Sequence, residues 1–330
     1  MLRIGILGAG QVGERHAIGF AHAQEARIVG FADAVPERAE ALAARYGGAA
    51  FSDYQRMLDC GLDILVVGLP HSMHREPAEE AAVRGVHVLM EKPLATTLAD
   101  ARRIVSVCKE HGVKLGTGFV HRYRDEVEAA RRWMVDGLIG RAQVAAAIMN
   151  GQRRPELPGW VTKREVAGGG VLMYNAIHAV DRLRLLLGSE VTTVSAQVRR
   201  YDPASELEDS AAAMLHFVDG AVAALVANAP AYAAQPAHWD TEIYGDRGRL
   251  RVRNGAWADV STDHRAERVT ADSQRTPLGE RYNFVRQAEA FIAAIKDDCE
   301  PPATGEDGLR ALEVVLAIYR AAEAGGIVHL

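Results

Sequence analysis

Two stretches of this 330-residue chain combine residue types that move protons or stabilise charge with a spacing that gathers them. In Gly168-Gly169-Gly170-Val171-Leu172-Met173-Tyr174-Asn175-Ala176-Ile177-His178-Ala179-Val180-Asp181, helical spacing puts Tyr174, His178 and Asp181 on one stripe. Met173, Ile177, Val180 and Leu187 form the apolar stripe beside it. An imidazole titrates near neutral pH, which suits it to general acid–base work, and the glycines ahead of it allow a ligand or another backbone to come close. A lone histidine on an apolar helix is more often a satisfied core residue, so spacing alone leaves both readings open. The second stretch is Glu91-Lys92-Pro93, at the carboxyl end of a short apolar run, where open α/β sheets place their ligands. Pro93 biases Lys92 to an extended conformation, so the lysine does not simply begin the next helix. The plain alternative is an exposed loop lysine.

The elements that must hold these residues follow from periodicity. Short β-branched runs alternate with amphipathic stretches: Arg3 to Leu7 then Gln11 to Ala23, Arg27 to Ala32 then Pro36 to Tyr46, Asp63 to Gly68 then Glu76 to Arg84. Val86 to Met90, a helix from Leu98 to His111, and Lys114 to Gly118 continue the rhythm. This βαβ pattern, with strands apolar on both faces, predicts a doubly wound parallel sheet ending near residue 120. A helix from about Asp125 to Asp136 then leads into period-2 segments at Arg141 to Met149, Val191 to Val198, Ser210 to Phe217, Ala221 to Ala227, Trp239 to Tyr244 and Arg249 to Val252. Asp219-Gly220 is a hairpin dipeptide. The chain is therefore expected to be α/β plus α+β, a Rossmann-type domain at 1–120 and an open, mostly antiparallel domain at 121–330. The late helices Asn283 to Lys296 and Gly308 to Ala324 either cover the second sheet or return to the first domain.

Gly8-Ala9-Gly10-Gln11-Val12-Gly13 matches G-x-G-x-x-G, follows a predicted strand, opens a predicted helix, and has Asp33 twenty positions past Gly13. Gly8 permits the tight turn, Gly10 lets backbone approach a pyrophosphate, and Gly13 lets helix and strand pack closely. Asp33 accepts from a free ribose hydroxyl and repels a 2′-phosphate, favouring NAD over NADP. Arg38, in the first turn of the next helix, either reaches a 2′-phosphate or is simply solvated.

Composition excludes several classes. The charge is −5, 48% of residues are hydrophobic, and arginines are scattered among acids, so nucleic acid and anionic membrane are not expected partners. The apolar N-terminal run is too short for a signal peptide and no run approaches a spanning helix; the expected compartment is the cytoplasm. Cys60, Cys108 and Cys299 are spaced too widely for a zinc site and are expected to be reduced, mostly buried thiols. No metal-ligand cluster is visible, which disfavours metal-assisted hydride transfer.

With these motifs in order, the chain resembles the glucose–fructose oxidoreductase, inositol dehydrogenase and MocA (Gfo/Idh/MocA) family. The resemblance rests on the Gly8 to Gly13 loop, Glu91-Lys92-Pro93, the Gly168 to Gly170 triplet with His178 and Asp181, Asn283-Phe284-Val285 and Thr304-Gly305-Glu306-Asp307-Gly308, and it covers essentially the whole chain. It implies hydride transfer between NAD(P) and a secondary alcohol or ketone of a sugar, polyol or cyclitol. Lys92 and His178 would flank the reacting carbon, with His178 as acid–base and Lys92 stabilising the oxygen. The implied cofactor contacts are Gly8, Gly10, Gln11, Val12, Gly13, Asp33, Arg38, Leu69, Pro70, His71, His74, Glu91 and Lys92. The implied substrate wall adds Arg122, Trp160, Tyr174 and Asn175. The family often carries Asp four residues before the histidine; here Tyr174 stands there, either acting on substrate through its hydroxyl or forming an apolar wall. Arg153, Arg154, Lys163 and Arg164 read as a solvated loop or a lure for an anionic group. A redox-neutral NAD-dependent glycosidase and a non-catalytic NAD(H) sensor are the alternatives. The face Ala211, Ala213, Leu215 and Phe217 needs cover, which together with the family implies a homodimer or homotetramer.

Overall fold

The computed structural model describes residues 1–151, 158–203, 205–229, 237–271 and 276–330. Its packing divides into two units, Met1–Tyr123 with Thr276–Leu309, and Arg124–Arg275 with Arg310–Leu330. A single cut near residue 120 leaves out the return of 276–309 to the first unit.

In the first unit the continuously apolar runs form the strands of a parallel sheet: β1 (Leu2–Leu7), β2 (Ala26–Ala32), β3 (Ala49–Phe51), β4 (Ile64–Val67), β5 (His87–Met90) and β6 (Leu115–Thr117). Their order is β3-β2-β1-β4-β5-β6, the reversal at β1 and β4 marking where a ligand crevice belongs. The connecting helices are α1 (Gln11–His22), α2 (Pro36–Tyr46), α3 (Tyr54–Leu58), α4 (Arg75–Val83) and α5 (Leu98–Glu110). β3 and α3 escape the sequence reading because three and five residues are too few to establish a period.

Alternate residues Ile4 and Ile6 of β1 face α1 and α2 in a core that also takes Phe20, Phe31 and Leu42. Phe291 and Ile292 of a late helix, α9 (Tyr282–Lys296), enter the same core. Each such side chain contributes roughly 1.5–3 kcal/mol on burial, which is why the C-terminal segment belongs to this unit.

The second unit is built on a sheet of β7 (Ala142–Asn150), β8 (Val191–Arg199), β9 (Ser210–Phe217), β10 (Val222–Asn228), β11 (His238–Gly245), β12 (Gly248–Arg253), β13 (Trp257–Thr262), β14 (Ala266–Thr270) and β15 (Val328–His329). The order is β14-β13-β12-β11-β7-β10-β9-β8-β15. Every pairing is antiparallel except β7 with β10. The Asp219-Gly220 turn closes β9 onto β10, with Gly220 at φ +89° and Phe217 N donating to Ala221 O over 2.9 Å. The helices here are α6 (Asp125–Val135), α7 (Arg164–Ala167) and α8 (Ile177–Leu187), with α10 (Gly305–Ala324) contributing its first turn to the other unit.

One expectation about this sheet is reversed. Ala211, Ala213, Leu215 and Phe217 are buried inside the unit, on the face that α8 lies against. The exposed apolar face is the opposite one, carried by Val144, Ile148, Met214 and Val226, because successive side chains alternate sides. The thiols also differ from expectation: Cys108 is buried, whereas Cys60 is half-buried and Cys299 exposed, and all three are unpaired. Among the described residues no helix is long and apolar enough to cross a membrane.

Candidate functional site

The carboxyl edge of the parallel sheet is a continuous row. The first residue past each strand donates to the last carbonyl of its neighbour: Gly8 N to Ala32 O (2.8 Å), Gly68 N to Leu7 O (2.8 Å), Glu91 N to Val67 O (2.9 Å) and Gly118 N to Met90 O (2.7 Å). The glycine turn and the E-K-P segment therefore share one edge. Gly8 has φ +95°, and a side chain on Gly13 would lie 1.9 Å from the Gly8 carbonyl, so both positions require glycine. Gly10 is different: a Cβ there would meet nothing within 4 Å. It is the N-cap of α1 and offers no side-chain acceptor, so the first-turn N–H groups are left for an external anion. Gln11 is exposed and Val12 half-buried on that turn, with Val12 Cγ1 3.0 Å from where a Gly68 Cβ would stand. This cradle fits a dinucleotide pyrophosphate.

Asp33 has a second task beside the expected one. Its Oδ2 accepts from Ala9 N and its Oδ1 from Val35 N, each over 2.8 Å. A carboxylate has about four lone-pair sites, so it buttresses the glycine turn and keeps acceptor capacity for a ribose hydroxyl. Arg38 is exposed on the first turn of α2.

Lys92 is half-buried and joined to Pro93 by a cis peptide. Burial lowers its pKa below the ordinary lysine value, the Glu91 carboxylate pulls it partly back, and Arg15 pushes the same way as burial. Glu91, expected at the cofactor, is turned inward instead. Its Oε1 lies 2.8 Å from Nε2 of the buried His16, and its Oε2 accepts from Lys92 N over 3.2 Å. Burial pushes the Glu91 carboxyl up, but the His16 hydrogen bond and the Lys92 charge outweigh it and leave it ionised below the usual carboxylate range. A side chain on Gly118 would strike this carboxyl at 2.8 Å.

His74 is likewise enclosed by protein groups. It is fully buried, with ring nitrogens 2.9 Å from the Leu69 carbonyl and 3.1 Å from the Pro93 carbonyl. It thus pins the E-K-P turn to the loop after β4, and burial lowers its pKa despite those carbonyls. His71 is buried with its ring edge-on to His74 at 6.1 Å, following the half-buried Leu69 and Pro70.

Arg122, expected at the substrate, commits its guanidinium within its own unit. Nη1 donates to Pro302 O (2.6 Å) and Asp307 Oδ2 (3.0 Å), Nη2 pairs with Asp307 Oδ1 (3.0 Å), and the group stands over Phe119. Asp307 also accepts from Thr304 N and Oγ1 at 2.9 Å while its own N–H donates to Thr304 Oγ1. Thr304 to Asp307 is therefore a capping box on α10. Gly305 and Gly308 admit Leu115 and Thr117, which a Cβ would meet at 2.3 and 2.6 Å. The motif seals α10 to β6.

In the second unit, residues Leu172–Ala176 form a π turn, and α8 follows directly. α-Helical spacing therefore does not hold throughout this stretch. A π turn advances fewer degrees per residue, which brings Tyr174 closer to the row of His178 than the α pattern would. Tyr174 and Asn175 are half-buried, whereas His178 is 6% and Asp181 2% exposed. Trp239 of β11, not anticipated from sequence, tilts against the His178 ring at 6.1 Å. Trp160 is half-buried on the turn Gly159–Thr162. Of the basic loop residues, Lys163 and Arg164 are bonded to Glu206, and Arg153 and Arg154 lie outside the described residues. No metal-holding cluster of His, Cys, Asp or Glu occurs among the described residues.

Comparison with known proteins agrees with this geometry. Residues 2–119 match the model of the oxidoreductase family NAD-binding Rossmann fold, and residues 136–330 match that family's C-terminal alpha/beta domain. The chain is 31% identical over 332 residues to a 1,5-anhydro-D-fructose reductase of Ensifer adhaerens, covering 98% of this chain and 97% of the relative. It is 30% identical to an inositol 2-dehydrogenase of Rhizobium meliloti, covering 97% and 96%. A dehydrogenase of Bordetella pertussis solved with NADH and UDP-GlcNAcA superposes at a TM-score of 0.85 and 29% identity, covering 100% of this chain and 98% of that one. The chain belongs to the Gfo/Idh/MocA oxidoreductase family, the NAD(P)-dependent enzymes of sugars and polyols with an NAD-binding Rossmann domain followed by the family's C-terminal alpha/beta domain.

Proposed function

We propose that this enzyme interconverts a ring secondary alcohol of a sugar, polyol or cyclitol with its ketone, using NAD in preference to NADP. The observation that carries this reading is the shared carboxyl edge: one row holds an uncapped glycine turn and, two strands or about 10 Å away, the half-buried Lys92. The bound nicotinamide supplies the hydride acceptor or donor. Lys92, whose ammonium is partly desolvated, stabilises the negative charge that gathers on the substrate oxygen as its proton departs. His178 takes that proton in oxidation and returns it in reduction. Tyr174 offers a neutral hydroxyl where relatives with Asp would present a charge, and Trp160 and Asn175 complete the substrate wall. The names of the two relatives support the substrate class, and the Asp33 carboxylate supports NAD. Glu91, His74 and Arg122 are assigned to holding the site instead of touching ligand.

The outer sheet face of Val144, Ile148, Met214 and Val226 supports assembly as a homodimer or homotetramer; a monomeric mass in light scattering argues against it. The unpaired thiols suit the cytoplasm.

The deciding experiment screens hexoses, inositols, 1,5-anhydrohexitols and their keto forms with NAD and NADP by absorbance of the reduced cofactor. Lys92→Ala and His178→Ala are each expected to abolish the activity found. Retention of turnover in both variants would remove the proposed mechanism, and full turnover in Tyr174→Phe would assign that residue to the wall.

A further inference from the structure

The glycine triplet ahead of the π turn was expected to admit a ligand or another backbone, and its neighbours are internal. Three consecutive backbone N–H groups end on one residue. Gly170 N donates to the Glu208 carboxylate (2.9 and 3.0 Å to its two oxygens), Leu172 N to Glu208 Oε1 (3.1 Å), and Val171 N to the Glu208 carbonyl (3.1 Å). The phenol of Tyr319, on α10, donates to the same Oε1 over 2.6 Å. Glu208 is 8% exposed. A Cβ on Gly169 would stand 2.1 Å from Tyr319 Oη, and one on Gly170 would stand 1.9 Å from Glu208 O. Neither glycine tolerates a side chain, and in both cases the obstacle is this pair. Val171, the N-cap of the π turn, makes no side-chain cap, so Glu208 satisfies first-turn donors that would otherwise be orphaned.

We propose that Glu208 and Tyr319 are positioning residues that set the register at which the π turn begins, and with it the direction in which Tyr174 and His178 point. This rests on the reading of His178 as the proton-transfer group. The chain of contacts is short: Tyr174 N donates to Gly170 O over 2.9 Å, Ile177 N reaches Leu172 O, and His178 follows on the first turn of α8. A slip of one residue at Leu172 converts the π turn to an ordinary one and rotates everything downstream by about 100°. The Glu208 carboxylate opposes such a slip because both of its oxygens hold fixed N–H groups. Burial and the adjacent carboxylate keep the Tyr319 phenol protonated, its pKa well above the ordinary range, so its donation persists across the working range of pH.

The test uses Tyr319→Phe, which removes one oxygen and keeps the ring, and Glu208→Gln. Two measurements are made on each full-length variant: hydrogen exchange of the amides of 170–177, and kcat and KM on the cyclic polyol turned over in the screen. His178→Asn is measured beside them. Amide exchange in 170–174 is expected to rise about tenfold or more and kcat to fall roughly 10- to 100-fold, with KM for NAD unchanged. Wild-type exchange, wild-type kcat, or a KM for NAD that rises in step with the loss of kcat would each overturn the proposal. If Glu208→Gln fails to fold, Tyr319→Phe decides. Retained turnover in His178→Asn would sink the reading of that histidine, while the exchange measurement would still judge the clamp.

Discussion

Arg122 gives two readings that one set of variants separates. In the fold it is a tether: its side chain is 8% exposed, it holds Asp307 through both terminal nitrogens, and it reaches the Pro302 carbonyl at 2.6 Å. Breaking a buried charge pair by removing one partner costs about 3–5 kcal/mol. The Asp307 side chain is 23% exposed, so solvent relieves part of this, and a loss of about 2–4 kcal/mol is expected for Arg122→Met. Asp307→Ala should cost at least as much, because it also removes the cap on Thr304, whereas Asp307→Asn keeps an acceptor for Thr304 N and should cost about half. With a urea m-value of about 2 kcal/mol/M, Arg122→Met lowers the midpoint by roughly 1–2 M. The assay is urea unfolding followed by circular dichroism. Tryptophan fluorescence serves as an internal comparison, since Trp133, Trp160, Trp239 and Trp257 all lie in the second unit. In folded Arg122→Met the KM for the alcohol should match wild type. An unmoved urea midpoint together with a KM raised tenfold would refute the tether and restore Arg122 to the substrate.

Three further outcomes are expected. Asp33→Ser should narrow the NAD-to-NADP preference by roughly tenfold or more, since like charges repel by about 1–4 kcal/mol at ~4 Å, and should weaken binding of both cofactors because Ala9 N and Val35 N lose their acceptor; an unchanged ratio of kcat/KM values would exclude Asp33 from discrimination. Burial lowers the Lys92 pKa, so the cation is lost as pH rises through a value below the ordinary 10.5, and activity should fall there; in Lys92→Arg, whose charge persists, that basic limb should vanish from whatever activity remains, and an identical limb would assign it to another group. Cys299 should react with an aromatic disulfide at once and Cys108 only on unfolding, because burial pushes the Cys108 thiol up to about 12; prompt release of three equivalents would contradict the packing.

Much of the parallel sheet was legible because continuous apolar runs and glycine punctuation are local signals. Gly8 to Gly13 and Asp33 needed only neighbours in sequence to be interpreted. The polar partners were not legible: His16 meets Glu91 across 75 positions, Tyr319 meets Glu208 across 111, and Arg122 meets Asp307 across 185. Nothing in a residue's own spacing announces such a partner, and the family resemblance alone set Glu91 at the cofactor and Arg122 at the substrate. The π turn escaped because a period of 3.6 was imposed on Tyr174 to His178, and one residue of extra width leaves no compositional trace. Trp257–Thr262 and Ala266–Thr270 were missed for another reason. Apart from Trp257 and Ala266, their outward residues are charged or hydroxylic, and the alternation is carried by few apolar side chains.

The parallel contact of β7 with β10 has a consequence for the order of assembly. β7 is flanked in the sheet by β10 and β11, and both follow it by roughly 70 residues or more in the chain. A ribosome adding about 5–20 residues per second therefore holds β7 without either neighbour for several seconds, with Val144 and Ile148 in water and both backbone edges open. The β9–β10 hairpin closes locally, but the middle of the sheet waits on loop closure. That nascent interval is when this chain is most exposed to pairing with another copy of itself.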